Sequence, residues 1–141
     1  MRAEIRKRWV EALRSGDYEQ AQGAFVEGDP TGSRPELDTR YCCLAVLTDL
    51  AIQDGLPGLR WSGDGLEQLE EIETEDDRVV EDWVPREDGD LPYVVWKWAG
   101  FDEPQYGGNP MIDGEPAISR NDDMGENFEQ IADAIERDGK L

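Results

Sequence analysis

Apolar residues recur every three to four positions near both ends of the chain. Ile5, Trp9, Ala12 and Leu13 share one face, which predicts an amphipathic helix over 3–15 that stops at Ser15-Gly16. Phe128, Ile131, Ala132 and Ile135 follow i, i+3, i+4, i+7 spacing behind Asn127, which stands where a helix cap belongs. Phe128 to Arg137 therefore reads as a C-terminal helix. Tyr41 to Ile52 is the most apolar run, and its length favours a buried central helix over 41–53 rather than a strand. Asp38 or Thr39 is expected to cap its start and Gly55 to end it. Pro92 opens a further helix over Tyr93 to Ala99, closed by Gly100.

The remaining segments are shorter. Tyr18 to Phe25 fits either a helical turn or a strand, and Gly28, Pro30, Gly32 and Pro35 make the next stretch a loop. Leu59-Arg60-Trp61 reads as a strand, Gly63-Asp64-Gly65 as a turn, and Val79-Val80 with Trp83-Val84 as a short strand before Pro85. Gly107 to Pro110 reads as another loop. The expected fold class is α+β: helices at both ends and in the core around a small irregular antiparallel sheet. A chain of 141 residues suits one compact domain over 1–141. The cations before Trp9 precede an interrupted apolar pattern, unlike a secretory signal, and no run approaches the length of a membrane span. The expected setting is cytoplasmic, without membrane contact.

Charge alters the picture more than any motif does. Fourteen basic side chains face 34 acidic ones, no histidine is present, and the formal net charge is −20. Direct binding to DNA or RNA is disfavoured, because such a charge repels phosphate. Histidine-dependent nucleophile pairs, general bases and metal ligands are absent. With only three lysines among its cations, the chain has the acid-rich, lysine-poor composition suited to a salt-loaded cytoplasm, where screening relieves self-repulsion. The charge is also uneven. Residues 1–14 carry five cations against two acids, whereas 64–90 carry thirteen acids against Arg78 and Arg86.

Several blocks then fall in a telling order. Trp9-Val-Glu-Ala-Leu-Arg-Ser-Gly16 is followed by Arg40-Tyr-Cys-Cys-Leu44 and its continuation Ala-Val-Leu-Thr-Asp-Leu50. Trp98-Ala-Gly100, Asn109-Pro110, Asn121-Asp122 and Phe128 to Glu136 complete the series. Over nearly its whole length the chain resembles a widespread family of small bacteriophage proteins with a "YCCLGVLCDL" block and a "NDxGxSFxxIAxxIE" ending. Ala45 stands where that family usually has glycine, Thr48 where it has cysteine, and the acidic stretch from Glu67 to Asp90 is longer. The resemblance brings no reaction with it. It implies a viral accessory protein acting in the host cytoplasm.

No residue set points to catalysis, a metal or another cofactor. Cys42 and Cys43 are adjacent, so on a helix they diverge by about 100° and read as small core residues. Gly63-Asp-Gly65 and Asp88-Gly-Asp90 lack calcium-loop spacing. Two binding sites are candidates. The first is the acidic set Glu70, Glu71, Glu73, Glu75, Asp76 and Asp77, suited to a host defence protein with a basic groove, in the manner of an anti-CRISPR-like inhibitor or nucleic-acid mimic. The second is a ligand pocket formed by Arg40, Tyr41, Trp98, Asn121 and Asp122. A binder of an immune nucleotide signal would need a cationic pocket, which only the helix at Arg2 to Arg14, with Arg34, Arg40 and Arg120, could supply. A structural or housekeeping viral role is the third reading. Trp83, Tyr93, Trp96, Trp98 and Phe101 add a dense aromatic set, expected mainly to fill the core.

Overall fold

The computed structural model describes residues 1–102 and 108–141. Its elements run α1 (Ala3–Arg14), β1 (Glu19–Gln20), β2 (Val26–Glu27), α2 (Pro35–Asp38), β3 (Arg40–Tyr41) and α3 (Cys43–Gln53). They continue with β4 (Leu59–Ser62), β5 (Gly65–Glu73), β6 (Val79–Pro85), α4 (Tyr93–Ala99), β7 (Met111–Ile112), β8 (Glu115–Pro116), a wide π-turn (Ser119–Asp123) and α5 (Phe128–Arg137). The fold is α+β and forms one domain around one core.

The core is built on α3. Cys43 to Thr48, Leu50 and Ala51 are all buried, so this helix is enclosed on nearly every side. Against it pack the apolar faces of α1 (Ile5, Trp9, Leu13) and α4 (Val95, Trp96, Ala99), and α5 closes the same core by packing on α1 through Ile131, Ala132 and Ile135. Trp9 is fully buried, and its Nε1 donates to the Cys43 carbonyl at 2.9 Å. The expected Asn127 cap of α5 is present and extends to a capping box, with Asn127 and Gln130 exchanging side-chain-to-backbone hydrogen bonds. Gly100 ends α4 at φ +81, and a Cβ there would stand 2.8 Å from Arg2 Cγ, so only glycine fits.

The basic N-terminus proves to be internal glue. Arg6 donates to the carbonyls of Ile135, Glu136 and Asp138 at 2.6, 3.1 and 2.8 Å, satisfying the orphan acceptors at the end of α5. Arg14 pairs with Glu129, Asp133 and Glu136 along α5, and Arg8 with Asp54. Arg6 and Arg14 thus engage α5, Arg8 the end of α3, and Arg2 and Lys7 pair with Glu4 and Glu11 of α1 itself.

Two expectations need correction. The central helix begins at Cys43, not Tyr41, because Arg40-Tyr41 pairs with β1 in parallel and with β2 antiparallel. Neither Asp38 nor Thr39 caps it; the Cys43 N–H donates instead to the side-chain oxygen of Asn121 at 3.2 Å. The sheet is also not one unit. It divides into β1-β3-β2, β4-β5-β6 and β7-β8, and the first contains the parallel pair. Gly28, at φ +87 just after β2, lets that strand pass the Asp38 carbonyl, which a Cβ would meet at 1.9 Å. Gly107 lies outside the described residues. No helix among the described residues is long and apolar enough to cross a membrane.

Candidate functional site

The acidic segment folds into a ribbon. Strand β4 pairs only with the first part of β5, from Gly65 to Gln68, while β6 pairs with β5 from Glu67 to Glu73. Beyond Leu69 the hairpin is therefore two-stranded and leaves the body of the domain. Its tip closes through Glu75-Asp76-Asp77, with Thr74 N–H bonded to the Arg78 carbonyl at 2.8 Å and Asp77 at φ +59. This is a three-residue hairpin loop with its last residue left-handed, a position that aspartate tolerates better than most side chains.

Alternation places like charges face to face on the ribbon. Glu70 lies opposite Asp82 on one face, and Glu71 opposite Glu81 on the other. Directly opposed like charges destabilise a sheet by some tenths of a kcal/mol per pair (roughly 0.2–1 kcal/mol). All four side chains are exposed, as are Glu73, Glu75, Asp76 and Asp77. Cations offset little of this. Arg78 pairs with Asp76 at the tip, and Arg60 pairs with Glu67 at the base while lying over the Trp83 ring at 4.2 Å. Ile72, Val79 and Val80 are exposed on the same ribbon. All six predicted acidic residues thus share one projecting element.

The second predicted site does not assemble. Asn121 and Asp122 line a cavity of about 70 Å³ together with Phe25, Cys42, Cys43 and Ile118, and neither Tyr41 nor Trp98 reaches it. Asn121 is wholly buried and structural. Its oxygen caps α3, its amide donates to the Ala21 carbonyl at 2.7 Å, and Gln20 donates back to it at 3.0 Å. Asp122 accepts the Gly23 N–H at 3.0 Å. Tyr41 instead opens onto a groove of about 580 Å³ beside Tyr18, Arg8 and Gln53. Arg40 is exposed and paired with Glu19, and Trp98 packs against the core edge with its carbonyl accepting from Arg2. The physical reason is that Asn121 is drawn inward as a helix cap, leaving it no free polar atom to offer a ligand.

The cations that a nucleotide pocket would need are dispersed as well. Arg120 is buried against Glu126, and the hollow bordered by Arg6, Lys7 and Arg14 also contains Glu11 and Glu136. Of the aromatic set expected mainly to fill the core, Trp96 is buried and pairs with Phe101 at 5.0 Å, Trp98 and Phe101 are partly buried against the core, Trp83 is half-buried on the ribbon, and Tyr93 is exposed. A different cluster appears. Tyr18, Tyr41, Trp61 and Phe25 form a chain of rings, centred on the Asp49 carboxylate. Asp49 accepts from Tyr18 Oη at 2.5 Å, Trp61 Nε1 at 2.8 Å and Gln53 Nε2 at 2.7 Å. The sequence signal was available: one carboxylate within the apolar run of the central helix.

Burial pushes the Cys42 thiol up to about 11 and that of Cys43 well above its ordinary value of 9.0. Tyr18 and Tyr41 are also raised, chiefly by burial. Groups raised by folding favour the native state while they stay neutral, so their contribution is intact below the ordinary thiol value of 9.0 and falls as pH rises through about 11. Native protein is expected to resist iodoacetamide at pH 8 and to lose denaturation midpoint above about pH 9. Rapid alkylation without unfolding would contradict the buried assignment. Among the described residues, no three cysteine or carboxylate side chains converge as a metal ion would require.

Fold and surface define a one-domain α+β protein whose distinguishing feature is an acidic two-stranded ribbon. The chain belongs to the family described as a domain of unknown function, DUF8296, whose family model matches residues 1–139. No curated protein and no solved structure matches it.

Proposed function

We propose that this protein is a non-enzymatic viral accessory protein that binds a host defence protein through the acidic ribbon. The observation that carries this reading is the projection of Glu70, Glu71, Glu73, Glu81 and Asp82 on a two-stranded element with like charges opposed. A fold gains no stability from that arrangement, whereas a basic groove on a partner would turn its repulsion into attraction. The viral setting, in the host cytoplasm, is supported by the resemblance of the Tyr41-Cys-Cys-Leu44 and Asn121-Asp122 blocks to bacteriophage proteins. The nucleotide-binding alternative lacks a convergent set of cations among the described residues.

The test replaces Glu73 and Glu75 by Gln and Asp76 and Asp77 by Asn in one variant. Far-UV circular dichroism checks the fold, and inhibition of host defence is assayed in the native host. Defence inhibition is expected to fall about tenfold or more, with association slowed more than dissociation is hastened. Full inhibition by the folded variant would reduce the ribbon to a solubilising surface.

The halophilic reading has its own test. Opposed carboxylates should be relieved as salt shortens the Debye length to about 3 Å near 1 M. Relief of about 1–2 kcal/mol corresponds to a rise of roughly 3–7 °C in Tm between 0.1 M and about 2 M potassium chloride. An unchanged or lower Tm would remove a salt-loaded cytoplasm from the proposal.

A further inference from the structure

The pairing register shows which backbone groups of the ribbon lack partners. Thr74 N–H bonds the Arg78 carbonyl, and Arg86 N–H bonds the Leu66 carbonyl, in phase with the pairs from Glu67↔Pro85 to Glu73↔Val79. Even-numbered residues of β5 and β6 therefore exchange the hydrogen bonds within this pair. The odd-numbered residues of β6, Val79, Glu81 and Trp83, direct their N–H and C=O groups to the other side. No strand pairs with that side among the described residues. Trp83 bears this out, since its N–H is taken by the Asp82 carboxylate at 2.8 Å instead of by β5. Pro85 has no N–H to offer and closes the edge at its base. Val79 to Trp83 thus form an edge about 17 Å long that is open at the N–H and C=O groups of Val79 and Glu81 and at the Trp83 carbonyl.

We propose that this edge accepts an extended, cation-bearing segment of a partner protein as an added strand. The inference rests on the binding role proposed above and specifies its geometry. Residues of an added strand would lie beside Val79, Val80, Glu81, Asp82 and Trp83 in turn. The matching segment carries two adjacent arginines or lysines, flanked by β-branched residues that cover Val79 and Val80. Backbone hydrogen bonds would supply the pairing, and the two cations on opposite faces would supply the selectivity. A second copy of this chain is the wrong occupant. It would bring Glu81 and Asp82 against their own equivalents, the device by which exposed edges avoid self-association.

The experiment uses the full chain and a fluorescein-labelled probe, Ser-Val-Thr-Arg-Arg-Thr-Val-Ser, followed by anisotropy in 0.1 M potassium chloride. A second probe has the same sequence and charge but is N-methylated at its four central residues. The plain probe is expected to bind at least about tenfold more tightly than the methylated one. Glu81→Pro removes an outward N–H without touching the β5 ladder, and is expected to cost about tenfold. Glu81→Gln keeps that N–H and is expected to cost about threefold. Circular dichroism confirms that both variants remain folded. Equal binding of the two probes, or equal losses in the two variants, would overturn strand addition while leaving charge-driven docking intact. No binding of either probe would overturn both.

Discussion

Trp9→Ala is expected to lower the unfolding free energy by about 3–5 kcal/mol, the usual cost of removing a large buried ring. Against a total of about 5–15 kcal/mol for a domain, that is a large share of the native stability. Trp9 is 0% exposed and lies where α1 meets the start of α3. Its ring can be separated from its hydrogen bond by Trp9→Phe, which keeps much of the apolar volume and loses the Nε1 donor. The Cys43 carbonyl opens α3 and still has an acceptor role within the helix, so Phe is expected to add only about 1 kcal/mol beyond its volume change. Urea denaturation of both variants gives the two numbers. A soluble Trp9→Ala protein of native stability that had lost activity would make Trp9 a binding residue instead.

Periodicity made the helices legible because each lays an unbroken apolar face on one core. Trp9 and Phe128 were both expected inside, and both are buried. The start of α3 was not legible, since its cap arrives from Asn121, 78 positions away, and no local pattern announces a distant cap. The same fact dissolved the candidate pocket at Arg40, Tyr41, Trp98, Asn121 and Asp122. Composition marked the acidic segment, and the valines before Pro85 marked a strand, but β5 was hidden: Leu66, Leu69 and Ile72 do not alternate strictly among its acids. Where only one edge of a strand is paired and most of its side chains meet water, hydrophobic pattern carries little register information. The opposed carboxylates and the open edge of β6 follow from register, so they became visible only with the structure.

Arg120→Met is expected to cost about 3–5 kcal/mol, for a reason that has little to do with volume. Arg120 is buried, with both oxygens of Glu126 within 2.9 Å of its Nη1. Its Nε donates to the Ile112 carbonyl at 2.8 Å and its Nη2 to the Asp113 carbonyl at 3.0 Å. Removing the guanidinium leaves a carboxylate and two carbonyls without their donors, and methionine supplies none. Arg120→Lys should recover only part of the loss, because an ammonium cannot reproduce the planar fork. Arg120→Met with Glu126→Met removes both charges, so the double variant should be more stable than Arg120→Met alone, a coupling that a double-mutant cycle measures. The consequence reaches α3. Arg120 fixes the turn that carries Asn121, and Asn121 caps the Cys43 N–H, so faster hydrogen exchange at Cys43 is expected in the single variant. Exchange there unchanged, with stability lost, would mean that the buried pair supports the β7-β8 hairpin without positioning the cap.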